Sequence, residues 1–237
     1  MSTFWESDLD VGYYDKLFNK GSIKKKGFQF NWHNITFLNI EKYLKKDLNH
    51  LDYACGPGTL IGHFSKANSI GVDLSKAQIL YAKENYRGEF LSLDQFNYLD
   101  YEESFDIITV VGLFEFLNRE DIDILLDQLR VMLKPKGRLI ITTPNFSLTF
   151  KFLIYFSELF GNNKYRPLYL SKFKKNIFYN LFSEHPNYEI SEIYKVLNIG
   201  LFFSIFSANF GIYMEKFFYK IFNQKVGLLL FVHLIKK

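Results

Sequence analysis

Only one cysteine, Cys55, occurs in the 237 residues, so no intramolecular disulfide can form. A reducing compartment, the cytoplasm, is the expected setting. Neither Cys55 nor any of the five histidines falls at metal-ligand spacing, which argues against a bound metal. The first residues are acidic and lack a basic stretch followed by an apolar one, so no signal peptide is expected. Internal repeats and low-complexity tracts are also missing. The longest uncharged run is the 19 residues 196–214, long enough to raise the question of a transmembrane helix. Asn198, Gly200, Ser204, Ser207, Asn209 and Gly211 dilute it too heavily for a span.

What is present supports a sizeable core, since 48% of the residues are hydrophobic. Aromatics are abundant, but Lys, Asn, Ile, Phe and Tyr rise together, as A/T-rich codons would make them. The surplus therefore carries no functional weight by itself. Charge is divided unevenly: residues 151–237 hold a balance of +7, against −3 in the first 150. A basic, aromatic C-terminal part suits an anionic partner such as phospholipid; solvated lysines are the bland alternative.

Residues 1–30 show no period and read as an irregular arm with one short helix, and residues 34–46 have helical spacing. Alternation then begins. Short apolar runs at 51–54, 69–73, 89–93, 105–111 and 138–143 read as strands separated by helices. Ser75 and Gln78 form a capping-box signature, and Ile122, Leu125, Leu126, Leu129, Met132 and Leu133 make one helical stripe. Beyond Pro144, helices are expected over 146–160 and 168–182, a sixth strand over 188–197 and a final strand over 226–235. The pattern implies an α/β fold: a mostly parallel seven-stranded sheet, helices on both faces and an aromatic-rich helical insertion or lid. The expected division is an N-terminal cap (1–50), a ligand-binding core (51–145), a lid (146–225) and the closing strand (226–237).

The chemistry starts at residues 51–59, Leu-Asp-Tyr-Ala-Cys-Gly-Pro-Gly-Thr. A strand ending in Gly-x-Gly before a helix lets backbone approach a ligand and offers unpaired N–H groups. As a dinucleotide fingerprint the motif is incomplete, because Ile61 stands where the third glycine belongs, which disfavours an NAD-dependent oxidoreductase. Asp52 lies four residues before Gly56, and Asp73 ends the second strand, where a carboxylate can accept from ribose hydroxyls.

This arrangement resembles motif I of the class I S-adenosylmethionine (SAM)-dependent methyltransferases, a Rossmann-like family. Residues 71–75, 90–95, 104–111 and 133–141 resemble four further motifs of that family, in order. The resemblance implies SAM as cofactor, with Gly56 and Gly58 cradling its methionine end beside Asp52. It implies Asp73 on the ribose, Leu74 packed on the adenine and Asp94 and Gln95 at the adenine edge. Val111 and Gly112 would flank the methionine moiety, with Glu115 near the opening. Ala54 replaces the family's usual glycine. Cys55 reads as a small buried residue rather than a nucleophile.

Among the histidines, His33 is the first candidate for a general base, ahead of His185; an ordinary interfacial role is its bland alternative. His50, His63 and His233 are not expected to act. The Asn/Asp-Pro-Pro-aromatic motif of amine-directed enzymes is missing after the fourth strand, so an exocyclic amine and a nucleic-acid partner are not expected. Residues 142–145, Thr-Thr-Pro-Asn, and the aromatic helix after them loosely resemble quinone-biosynthesis O-methyltransferases. A small-molecule acceptor, apolar, sugar or lipid-linked, is the implied partner. A SAM-binding protein without catalysis is the rival of another class. Peripheral membrane contact through the C-terminal part stays open beside a lid that fills its own core.

Overall fold

A computed structural model describes residues 4–159, 168–222 and 225–237. The strands are β1 (Asn49–Tyr53), β2 (Asn68–Asp73), β3 (Glu89–Ser92), β4 (Phe105–Val111), β5 (Leu133–Pro144), β6 (Tyr188–Val196) and β7 (Leu229–Lys236). They form one seven-stranded sheet in the order β3-β2-β1-β4-β5-β7-β6. β1 to β5 pair in parallel, and β7 runs antiparallel between β5 and β6. The helices are α1 (Tyr13–Lys24), α2 (Phe28–Glu41), α3 (Thr59–Phe64), α4 (Lys76–Asn85), α5 (Arg119–Met132), α6 (Leu148–Leu159), α7 (Lys175–Phe182) and α8 (Ala208–Phe222).

Side chains of a strand alternate between faces, so neighbouring residues feed different cores. Ile108, Leu139, Ile141 and Val232 join the α5 stripe and Phe178 and Phe182 of α7 on one face. Ile107, Ile140 and Phe231 meet Phe18, Phe37 and Ile40 from α1 and α2 on the other. Such a sheet, buried on both faces, explains the near-continuous apolar strands in the sequence.

The N-terminal expectation needs correction. Residues 13–24 and 28–41 are two regular helices, where an irregular arm with one short helix and then a helix at 34–46 were expected. α1 buries only Asp15, Phe18 and Gly21, which leaves no apolar stripe to read. A polar anchor replaces it: Asp15 accepts from Tyr81 at 2.9 Å and from Tyr86. The helix expected over 168–182 is confined to α7. Upstream of it, Leu170 and Ser171 donate their backbone N–H groups to the Glu115 carbonyl at 2.9 and 3.1 Å. The final strand starts at Leu229 rather than 226.

α8, a helix the sequence pattern does not announce, is held by polar contacts. Both Glu215 carboxylate oxygens accept from the Asn198 backbone N–H, at 2.9 and 2.8 Å. Among the described residues no helix is long and apolar enough to cross a membrane.

Candidate active site

The strand order reverses direction between β1 and β4, and open α/β sheets bind ligands outside the strand carboxyl ends at such a point. A cavity of about 930 Å³ lies there, walled by the ends of β1, β2, β4 and β5 and by α2 and residues of the N-terminal segment. That volume is at the upper end for ligand sites, which suits two ligands held together. The N-terminal segment is fastened over it through Gln78, which accepts from the Gly12 N–H and donates to the Asp10 carbonyl. Ser75 caps α4 by accepting from the Gln78 N–H at 3.4 Å, so half of the expected capping box forms. The other half is lost because the Gln78 side chain is engaged with the N-terminal segment.

His33, Asp52, Ala54, Gly56, Asp73, Leu74, Val111 and Gly112 all lie on the cavity wall. Gly58, Asp94 and Gln95 do not. Gly58 is a packing glycine, since a Cβ there would strike the Phe90 ring at 2.8 Å. Asp94 is exposed and paired with Lys76 at 2.8 Å; Leu93, from the same turn, reaches the cavity instead. Gly56 has φ +54 and a Cβ there would meet nothing within 4 Å, so the cavity floor is clear at this point. Ala54 also has positive φ, +66. An L-residue in that region costs about 1–2 kcal/mol, a reason for glycine to be usual there.

Asp73 organises the loop. One carboxylate oxygen accepts from the Gly56 N–H and the other from the Ser75 N–H, both at 2.8 Å. Burial raises its pKa, and those backbone donors oppose the rise. Each oxygen retains further accepting capacity toward a ribose. Asp52 is buried at the end of β1 and accepts from the Thr109 hydroxyl at 2.7 Å. Burial pushes its pKa up to about 7, with the Asp73 charge adding to the rise. Thr109 is itself 2.8 Å from His50 Nε2, whose Nδ1 lies 2.9 Å from Ser69 Oγ. Burial also raises the Cys55 thiol well above its usual range, as an inert residue requires.

Two wall residues gain a weight that the sequence did not give them. Glu115 is buried in the turn after β4 and accepts from the Thr143 hydroxyl at 2.9 Å. Its pKa is pushed up to about 7 by burial. The signal was there: an acid between Phe114 and Phe116, just past a strand. Thr142, at the end of β5, has a buried hydroxyl without a hydrogen-bond partner. Such a group is costly unless a ligand satisfies it. His33, on α2, lies 3.1 Å from the Gln29 amide nitrogen, and burial lowers its pKa to about 4. The Gln29 amide thus donates to the ring at Nε2.

The residues present fit SAM. Asp73 and Leu74 would receive its adenosine part, while Gly56, Asp52 and Gly112 would surround the methionine part.

Residues 51–137 match the family described as methyltransferase domain. A ubiquinone biosynthesis O-methyltransferase from Nitrobacter winogradskyi is 36% identical over 104 residues, 41% of this chain and 39% of that protein. An uncharacterized protein of Rickettsia prowazekii is 34% identical over 97 residues, 37% of this chain and 39% of its own length. The chain thus spans about two fifths of the curated relatives it matches. Among solved structures, the plantazolicin methyltransferase BpumL in complex with SAH shares the fold at a TM-score of 0.58 and 19% identity, covering 100% of this chain and 93% of that one. A SAM-dependent methyltransferase from Archaeoglobus fulgidus gives a TM-score of 0.58 at 15% identity, covering 86% and 94%. With five motifs in order, the β1/β4 switch-point cavity and the family match, residues 51–137 form a methyltransferase domain, and the chain has the fold of SAM-dependent methyltransferases.

Proposed function

We propose that this chain transfers a methyl group to a hydroxyl oxygen of a small, largely apolar acceptor, with Glu115 as the general base. The observation that carries this reading is the Glu115 carboxyl, buried on the wall of the cavity with its pKa raised to about 7. A base whose pKa lies near the operating pH combines a useful ionised fraction with adequate driving force. Burial holds His33 at about 4, too weakly basic to compete. Trp32, Phe116, Phe150, Leu153 and Tyr169 also line the cavity. An apolar acceptor would be held there and water kept out, leaving the hydroxyl as its one hydrogen-bonding group. The name of the Nitrobacter relative, an O-methyltransferase, agrees with an oxygen acceptor.

When bound, SAM supplies a methyl group on a sulfonium, already an excellent leaving group. The protein's own part is to orient the acceptor and hold the proton. Orientation alone contributes roughly 7–11 kcal/mol in well-aligned systems. Glu115 takes the hydroxyl proton as the new C–O bond forms, and the Thr143 hydroxyl stabilises the carboxylate until then.

The test is to incubate the purified chain with methyl-labelled SAM and fractionated cell extract and to identify the labelled product. Label on a hydroxyl-derived oxygen of an apolar compound is expected. Label on nitrogen or carbon would overturn the oxygen assignment. Tight SAM binding with no labelled product from any fraction would favour the rival, a SAM-binding protein without catalysis.

A further inference from the structure

α8 is amphipathic the wrong way round for a helix of a globular domain. Its inward residues are Ala208, Gly211 and Glu215, small or polar. A Cβ at Gly211 would lie 2.0 Å from Ser204 Oγ, so the backbone itself forms the contact. Asn31 on α2 seals the same seam by donating to Ser204 Oγ and to the Ala208 carbonyl, at 2.7 and 2.9 Å. Ile212 packs half-buried against the core cluster around Leu201, but several other large apolar residues point outward. Phe206, Phe210, Tyr213, Phe217 and Ile221 recur at spacings of three and four and are all exposed, Phe206 at 77% and Tyr213 at 64%.

A second segment, distant in sequence, completes this surface. The Gly27 N–H donates to the Ser204 carbonyl at 2.7 Å, and the Ala208 N–H to the Lys25 carbonyl at 2.8 Å. These bonds set the corner between α1 and α2 beside the start of α8. Ile23, 81% exposed, and the exposed Lys24, Lys25 and Lys26 come with it.

We propose that this face docks on an anionic lipid surface. Charge selects the occupant. Residues 16–40 contain five lysines and no acidic residue. Residues 196–237 contain one acid, Glu215, which is buried. Lys216 and Lys220 flank the outward stripe. Neither segment presents a negative charge to its surroundings. An apolar stripe bordered by cations matches acyl chains under anionic headgroups. The cavity lies near: Phe28 lines it and its ring lies 5.4 Å from that of the exposed Phe202, four residues before Phe206. Docking is independent of the methyl-transfer reading, because its readout is binding alone.

The test is flotation of the full chain with phosphatidylcholine vesicles, with and without phosphatidylserine, at low and high salt. Flotation is expected with phosphatidylserine at low salt, falling by about tenfold or more at high salt, and none with phosphatidylcholine alone. An interfacial lysine contributes about fivefold to binding. Replacing Lys24, Lys25 and Lys26 together with Gln should therefore lower binding by about 100-fold. The pair Phe206→Asp and Phe210→Asp should lower it by about tenfold or more, with an unchanged circular dichroism spectrum since both side chains are exposed. Absence of flotation with phosphatidylserine, equal flotation on neutral vesicles, or unaltered binding by both variants would overturn the proposal. Self-association abolished by Phe206→Asp, with no vesicle binding, would assign the face to a second copy of the chain instead.

Discussion

Replacing Glu115 with glutamine is expected to lower kcat by about 10²–10⁴-fold, the usual contribution of a positioned base. The affinity for SAM should stay within roughly twofold of wild type, because Glu115 acts on the acceptor. The wild-type rate should fall tenfold per pH unit below about 7, where burial places the carboxyl, and level off above it. That limb should vanish in Glu115→Gln. Folding cannot mimic the result. A carboxyl whose folded pKa is raised stabilises the protein below its unfolded value, and that stability is lost as pH rises through about 7. At pH 8 the variant should therefore be at least as stable as wild type. Single-turnover kinetics across pH, alongside thermal melts, checks both. An unchanged rate with an unchanged acidic limb would remove Glu115 from the reaction.

Asp73→Ala should raise the dissociation constant for SAM by about 10- to 150-fold, the equivalent of about 1.5–3 kcal/mol for hydrogen bonds to a charged group. Two losses act together. The ribose hydroxyls lose their acceptor, and the N–H groups of Gly56 and Ser75 lose the carboxylate that fixes the loop. Asp73→Asn should fall between, because an amide keeps one accepting oxygen but turns a donor toward the other N–H. Calorimetry with SAM and with its demethylated product measures both variants. An unaltered affinity in Asp73→Ala would remove that residue from the cofactor site.

The core was legible because a parallel sheet writes itself plainly: four-to-seven-residue apolar runs, each followed by a turn and a helix. Asp52, Gly56 and Asp73 could be placed because strand ends are set by the strands before them. Asp94 and Gln95 followed no such constraint, and one step along the turn decides that Leu93 faces the cavity. α1 was hidden because Asp15 and two tyrosine hydroxyls anchor it where an apolar stripe would normally do so. α8 was hidden for the opposite reason: Phe210, Tyr213, Phe217 and Ile221 face away from the fold. Glu115 was named only for its place near the opening, since burial, which a sequence does not display, is what raises its pKa. Phe156 and Phe160, expected as part of an aromatic lid, lie outside the described side chains.

The row of groups from Ser69 through His50 and Thr109 to Asp52 has a direction as well as a set of distances. Thr109 has one hydroxyl proton, and an ionised Asp52 claims it. Thr109 oxygen must then receive a proton from His50 Nε2, leaving Nδ1 bare to accept from Ser69. With Asp52 neutral, this obligation lapses. Burial keeps the His50 ring uncharged, with its pKa lowered to about 3, so the ring can respond only by choosing which nitrogen carries hydrogen. The imidazole at the start of β1 is therefore a gauge of the charge two residues further along the strand. Its ring nitrogen shifts in an NMR titration should report the Nε2–H form above pH 7 and a mixture below. Thr109→Val should disconnect the gauge, leaving the His50 shifts indifferent to the state of Asp52.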